Sequence, residues 1–198
     1  MRDDAGETLA PDGGRPGLEA CVTCGSHACG HQRPVSTEAR GLRMTGDRAV
    51  LRQGRGAARR GQRSRYEALV TEMKTSYRIA IRKWRTGMQG AAYELKYRDG
   101  RIKRLITAPR PRGPVSAAIF LHEVGHHAVG FRRYSNRVLE EFYVWQWAFR
   151  EMTSRGISVD PRVLRHYRRS MLYYVRAAKH AGAAALPPEV QAFLEWPG

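Results

Sequence analysis

Residues 121–130 read Leu121-His122-Glu123-Val124-Gly125-His126-His127-Ala128-Val129-Gly130. On a helix of about 3.6 residues per turn, His122 and His126 stand one turn apart on one face, where two imidazoles can reach a single tetrahedral zinc ion. Glu123 is rotated about a quarter turn from them, which keeps its carboxylate out of the ligand set but within reach of an attacking water. The surroundings favour the helix. Pro114 suits a first helical turn, Val115 to Leu121 is apolar apart from Ser116, and Gly130 suits the position just past a helix end. The segment therefore reads as a helix from about Pro114 to Gly130, with His122 and His126 as metal ligands and Glu123 as catalytic base.

Such a site needs a third protein ligand, and Glu140, Glu141 and the other histidines are the candidates. A second helix is expected from about Asn136, a capping residue, to about Ser154. At about 100° per residue, Val138, Val144, Trp145, Ala148, Phe149 and Met152 form one apolar arc. Glu141 falls inside that arc, whereas Glu140 falls near its polar edge beside Glu151. A carboxylate on a buried face needs compensation, and a metal ion supplies it. Glu141 is the expected third ligand; an inward Glu paired with an Arg is the alternative. His127 projects toward the Glu123 side of the helix and is expected to face solvent, with support of the site or of the transition state as the alternative.

Upstream lies a hairpin. Tyr93, Leu95 and Tyr97 alternate with Glu94, Lys96 and Arg98, Asp99-Gly100 offers positive φ angles for the turn, and Ile102 and Ile106 continue on the returning strand. Before it, Tyr66, Leu69, Val70, Met73, Tyr77, Ile79, Ala80 and Ile81 approximate a helical stripe that Gly87 and Gly90 end. Downstream, Asp160-Pro161 opens a third long helix that closes near Gly182, and a short helix follows Pro187-Pro188. The expected fold class is α+β over residues 66–198: an N-terminal helix and β-hairpin, then the active-site helix and a helical C-terminal part.

Residues 1–65 are rich in Gly, Arg, Asp and Ala and too poor in large apolar residues to offset their ordering entropy. They read as a disordered basic tail. Over the chain, 35 Lys and Arg against 18 Asp and Glu give a net charge of +17, which suits non-specific nucleic-acid contact through the tail and says nothing about fold. Cys21, Cys24 and Cys29 are odd in number and crowded beside His27 and His31, so they make no disulfide framework; with His31 they are candidates for a small metal knuckle. The longest apolar run is far too short for a bilayer, and no apolar stretch of a secretion signal follows Met1. A cytoplasmic protein without membrane contact is expected.

His122-Glu123-Val124-Gly125-His126-His127, followed by Glu141-Phe142-Tyr143-Val144-Trp145-Gln146-Trp147-Ala148, resembles the ImmA/IrrE family of zincin metallopeptidases and their relatives. The likeness runs over about residues 70–155. In that family a Glu stands three residues before a small residue, with an aromatic-Ala pair three residues further on. Val144 and Trp147-Ala148 hold those places here, which again points to Glu141. Two departures are a short connection between the helices and Phe149-Arg150-Glu151-Met152 where the family has Leu-Leu-Met-Pro. The resemblance implies a zincin-like domain that binds Zn2+ and hydrolyses a protein or peptide substrate, such as a regulatory protein. In zincins the substrate commonly adds as a strand, and Arg104 to Ala108 is the expected edge. His166, Tyr167, Tyr173 and Tyr174 are candidates to donate to an oxyanion, with core packing the simpler role for the tyrosines. The rival is a nucleic-acid-associated regulatory protein that uses the same fold as scaffold or sensor. An intact Glu123 favours the peptidase, because a purely structural site needs no base.

Overall fold

The computed structural model describes residues 17–21, 48–183 and 185–194. The alternation read at residues 93–98 becomes one rib of a four-stranded sheet made of β1 (Gly17–Cys21), β2 (Ile79–Arg85), β3 (Ala91–Lys96) and β4 (Ile102–Pro109). The strand order is β1-β3-β4-β2. β3 pairs antiparallel with both β1 and β4, and β2 runs parallel to β4. The β3–β4 turn closes through Gly100, whose φ of 81° a side chain would resist, while Asp99 accepts a hydrogen bond from the Arg101 amide at 3.0 Å. Gly100 alone supplies the positive φ that the sequence assigned to the Asp-Gly pair.

Helix α1 (Arg48–Tyr77) precedes β2, and α2 (Pro114–Val129), α3 (Arg137–Ser154), α4 (Pro161–His180) and the short α5 (Pro188–Gln191) follow the sheet. The chain is thus α+β, with the helix boundaries downstream of the sheet close to those expected. The stripe through Ile81 needs correction. The helix ends at Tyr77, Arg78 turns at a φ of 53°, and Ile79 to Ile81 enter β2, where the branched side chains of Ile79 and Ile81 suit a pleated surface. Ahead of the expected start near Tyr66, α1 already begins at Arg48, and Gly17–Cys21 adds a strand to the sheet. Cys24, His27, Cys29 and His31 lie outside the described residues.

Every residue of α2 from Ser116 to His127 is buried. A helix apolar nearly all round belongs inside, and α2 lies between the sheet and helices α1, α3 and α4. Small side chains make this possible: Ala92, Ala108 and Ala117 are 0% exposed at the sheet–helix contact. Ser116 closes the start of α2, its hydroxyl accepting from the amides of Arg112 (2.9 Å) and Gly113 (3.2 Å). Gly125 lets α3 cross closely. A β-carbon there would stand 3.0 Å from both Val144 Cγ1 and Trp147 Cε3. Asn136 caps α3 by accepting from the Val138 amide at 2.8 Å. Among the described residues, no helix is long and apolar enough to cross a membrane.

Candidate metal centre

Burial of α2 carries four polar side chains inward: His122, Glu123, His126 and His127 are 3%, 1%, 0% and 6% exposed. The close crossing at Gly125 then brings α3 against the histidine face. His122 Nε2 lies 3.1 Å from Glu141 Oε2, and His126 Nε2 lies 3.6 Å from Glu141 Oε1. One ligand atom from each of the three residues falls within 4.8 Å of the others. Zinc bonds of about 2.0–2.1 Å in a tetrahedron separate neighbouring ligand atoms by about 3.3 Å, so these spacings fit such an ion. The donor set is also chemically apt, with two imidazole nitrogens and one carboxylate. Both Glu141 oxygens and His126 Nε2 are buried without a well-formed hydrogen bond, which a cation among them would remedy.

Charge within the cluster is consistent with ligation. Burial pushes the Glu141 carboxyl up, but His126, His122 and Arg137 more than offset it and hold it down at about 2. Burial lowers His122 against the opposing pull of Glu141, favouring the neutral imidazole that a metal ligand must present. Aromatic walls fix both rings. His122 lies 4.3 Å from the Trp145 ring, and His126 stacks on Phe131 with centroids 5.9 Å apart.

Glu140 is not at a polar edge. It is 2% exposed, because the loop before α3 folds over it. It accepts from the Arg132 amide at 2.9 Å and from Arg137 Nη1 at 2.6 Å, and it stands 3.6 Å from His126 Nδ1. A carboxylate behind a ligating imidazole orients the ring and favours the tautomer with a bare Nε2. Arg137 reaches Glu141 as well, in a close ion pair. The Arg partner expected in the alternative reading of an inward Glu141 is therefore present, beside the two histidines of the metal reading.

His127 likewise departs from expectation. It is buried against the sheet, where its Nε2–H donates to the Leu105 carbonyl at 3.2 Å. Burial holds this imidazole down at about 4, so it is neutral and ties α2 to β4. Of the α4 candidates, Tyr167 is core, with burial raising its phenol to about 12. Tyr174 is buried beneath the Arg137 guanidinium, while Tyr173 is 46% exposed. His166 packs edge-on to Trp145 at 5.9 Å and is held at about 4 by burial and by His122.

Gly90 is a site residue that periodicity could not reveal. A β-carbon built on it would collide with the Glu123 carboxylate, so only glycine leaves that group its place. The signal in the sequence was a glycine shortly before the first hairpin strand, legible there merely as a helix breaker, and β3 starts one residue after it. Leu105 and its neighbours also change meaning. β4 is flanked by β3 on one side and β2 on the other, so Arg104 to Ala108 offers no open edge to a substrate strand. Compared with known proteins, the chain matches no protein-family model, no curated protein and no solved structure.

Proposed function

We propose that this chain is a zinc-dependent metallopeptidase of the zincin type. The observation that carries the reading is the buried convergence of His122, His126 and Glu141, with Glu123 one residue along the same helix. A structural site needs the three ligands but not the fourth group. Bound there, zinc would bring a water's pKa toward neutrality and polarise a peptide carbonyl.

The chain's own residues do the rest. His122, His126 and Glu141 hold the ion, with Glu140 behind His126 and Arg137 bracing both carboxylates. Glu123 takes the proton of the attacking water and returns it to the leaving amine. Gly90 keeps the space in which that carboxylate sits. The likeness to ImmA/IrrE proteins favours a regulatory protein in the cytoplasm as substrate.

Two single substitutions separate the carboxylates by role. Glu123→Gln is nearly isosteric and should keep about one zinc per chain while peptide hydrolysis falls at least about a hundredfold. Glu141→Ala should lose the zinc first and activity with it. Elemental analysis beside turnover of an unfolded protein substrate reads both. Unchanged turnover in Glu123→Gln would end the reading, as would metal-free protein after zinc supply.

A further inference from the structure

With β4 enclosed, the strand that reaches the site is β3. It starts at Ala91, one residue after Gly90, whose backbone lies against the Glu123 carboxylate. One edge of β3 pairs with β4. Its other edge is occupied by this chain's own β1, antiparallel, from Gly17 opposite Lys96 to Cys21 opposite Ala92. Because the strands are antiparallel, β1 runs toward the site. At about 3.3 Å per residue, Cys21 stands about 7 Å along the strand from the level of Gly90. A peptide laid in the place of β1 would continue past Glu123 within two or three residues.

Several features mark β1 as an occupant rather than a foundation. It is five residues long and meets the fold chiefly through β3, so backbone pairing along one edge holds it. In sequence, 26 residues (22–47) separate it from α1. Backbone pairing is also indifferent to side chains, so a segment of another protein can make the same hydrogen bonds. A tethered strand competes with a free one through its high local concentration, which sets how strongly it shields the edge.

We propose that β1 is a built-in competitor that occupies the outer edge of β3 in the place of an extended peptide. A peptide gains the edge only when β1 leaves. The effect on hydrolysis rests on the peptidase reading; the occupancy of the edge does not.

The test uses the full chain and a double variant, Glu19→Pro with Ala20→Pro. Neighbouring amides on a strand point to opposite sides, so one of the two prolines removes a donor aimed at β3. Hydrogen exchange should quicken at least about tenfold at residues 91–96 in the variant, with residues 102–109 unchanged. A labelled peptide of residues 15–23, with Ser in place of Cys21, should bind the variant at least about tenfold more tightly than the native chain by fluorescence anisotropy. Turnover of an unfolded protein substrate should rise in the variant and fall again when that peptide is added. Equal exchange at residues 91–96 in the two proteins, or equal peptide affinity, overturns the proposal. Turnover that does not rise when peptide binding does overturns the competitor role. If zinc-loaded protein hydrolyses nothing, the peptidase reading falls, and exchange and anisotropy still decide who occupies β3.

Discussion

Helices α2 and α4 both open on a proline and differ in almost everything else. α4 buries one stripe, Val163, Tyr167, Met171, Tyr174 and Val175, and turns Arg162, Arg165 and Arg169 outward. Its start is closed locally by Asp160, which accepts from the amides of Arg162 (2.9 Å) and Val163 (3.0 Å). α2 has no outward face along its middle, and its polar groups find partners on other elements: Glu141 on α3 for His122 and His126, and Leu105 on β4 for His127. α4 is a stabilising helix that its own sequence nearly specifies. α2 is a site whose polar residues are tolerable only because neighbouring elements meet them.

That contrast can be broken by experiment. The largest effect on stability should come from α4. Met171 is 0% exposed, and Met171→Ala should cost about 2–5 kcal/mol in denaturant unfolding. Zinc content of the folded fraction should stay the same; a matching loss of zinc would show that α4 is part of the centre. A smaller cost in stability with a larger one in function is expected at the α2–α3 crossing. Gly125→Val would press on Val144 and Trp147, which already stand 3.0 Å from an ideal β-carbon, at about 1–3 kcal/mol of overpacking. Displacing α3 carries Glu141 away from the histidines, so zinc affinity should drop more than tenfold, read by competition with a chelator. Retention of full affinity would mean that the spacing of the ligands does not depend on this crossing.

The smallest effect sharpens the local character of α4. The amide hydrogen bond from Val163, helped by the amide and guanidinium of Arg162, outweighs the opposing effect of desolvation and holds the Asp160 carboxyl below its ordinary range. A carboxyl whose folded pKa is depressed contributes stability above its unfolded pKa and loses it as pH falls through the folded value. Native protein should therefore weaken in acid by a small increment that Asp160→Asn lacks, since Asn caps without titrating. Thermal unfolding followed from neutral to acid pH measures the difference; parallel curves would exclude the cap as its source.

How far the sequence carries depends on the range of the signal. Caps, prolines and glycines act within a turn of themselves, and the limits of α2, α3 and α4 were legible from Pro114, Asn136 and Asp160. Ile79 and Ile81 were misread because a helical stripe and a short buried strand look alike over so few residues, and only pairing with β4 decides between them. Glu140 looked polar-facing because the helical wheel ignores the loop that supplies the Arg132 amide.

By itself the sequence determined the two-His spacing, the flanking carboxylate, the phase of Glu141 and the alternation of β3. Each follows from backbone periods of a single element. Tertiary structure decided that Glu141 Oε2 lies 3.1 Å from His122 Nε2, that His127 turns to the sheet, that Gly90 makes room for Glu123, and that β1 rather than solvent borders β3. Those facts depend on strand order and helix crossing, which arise from how separate apolar faces bury one another. No local period encodes them.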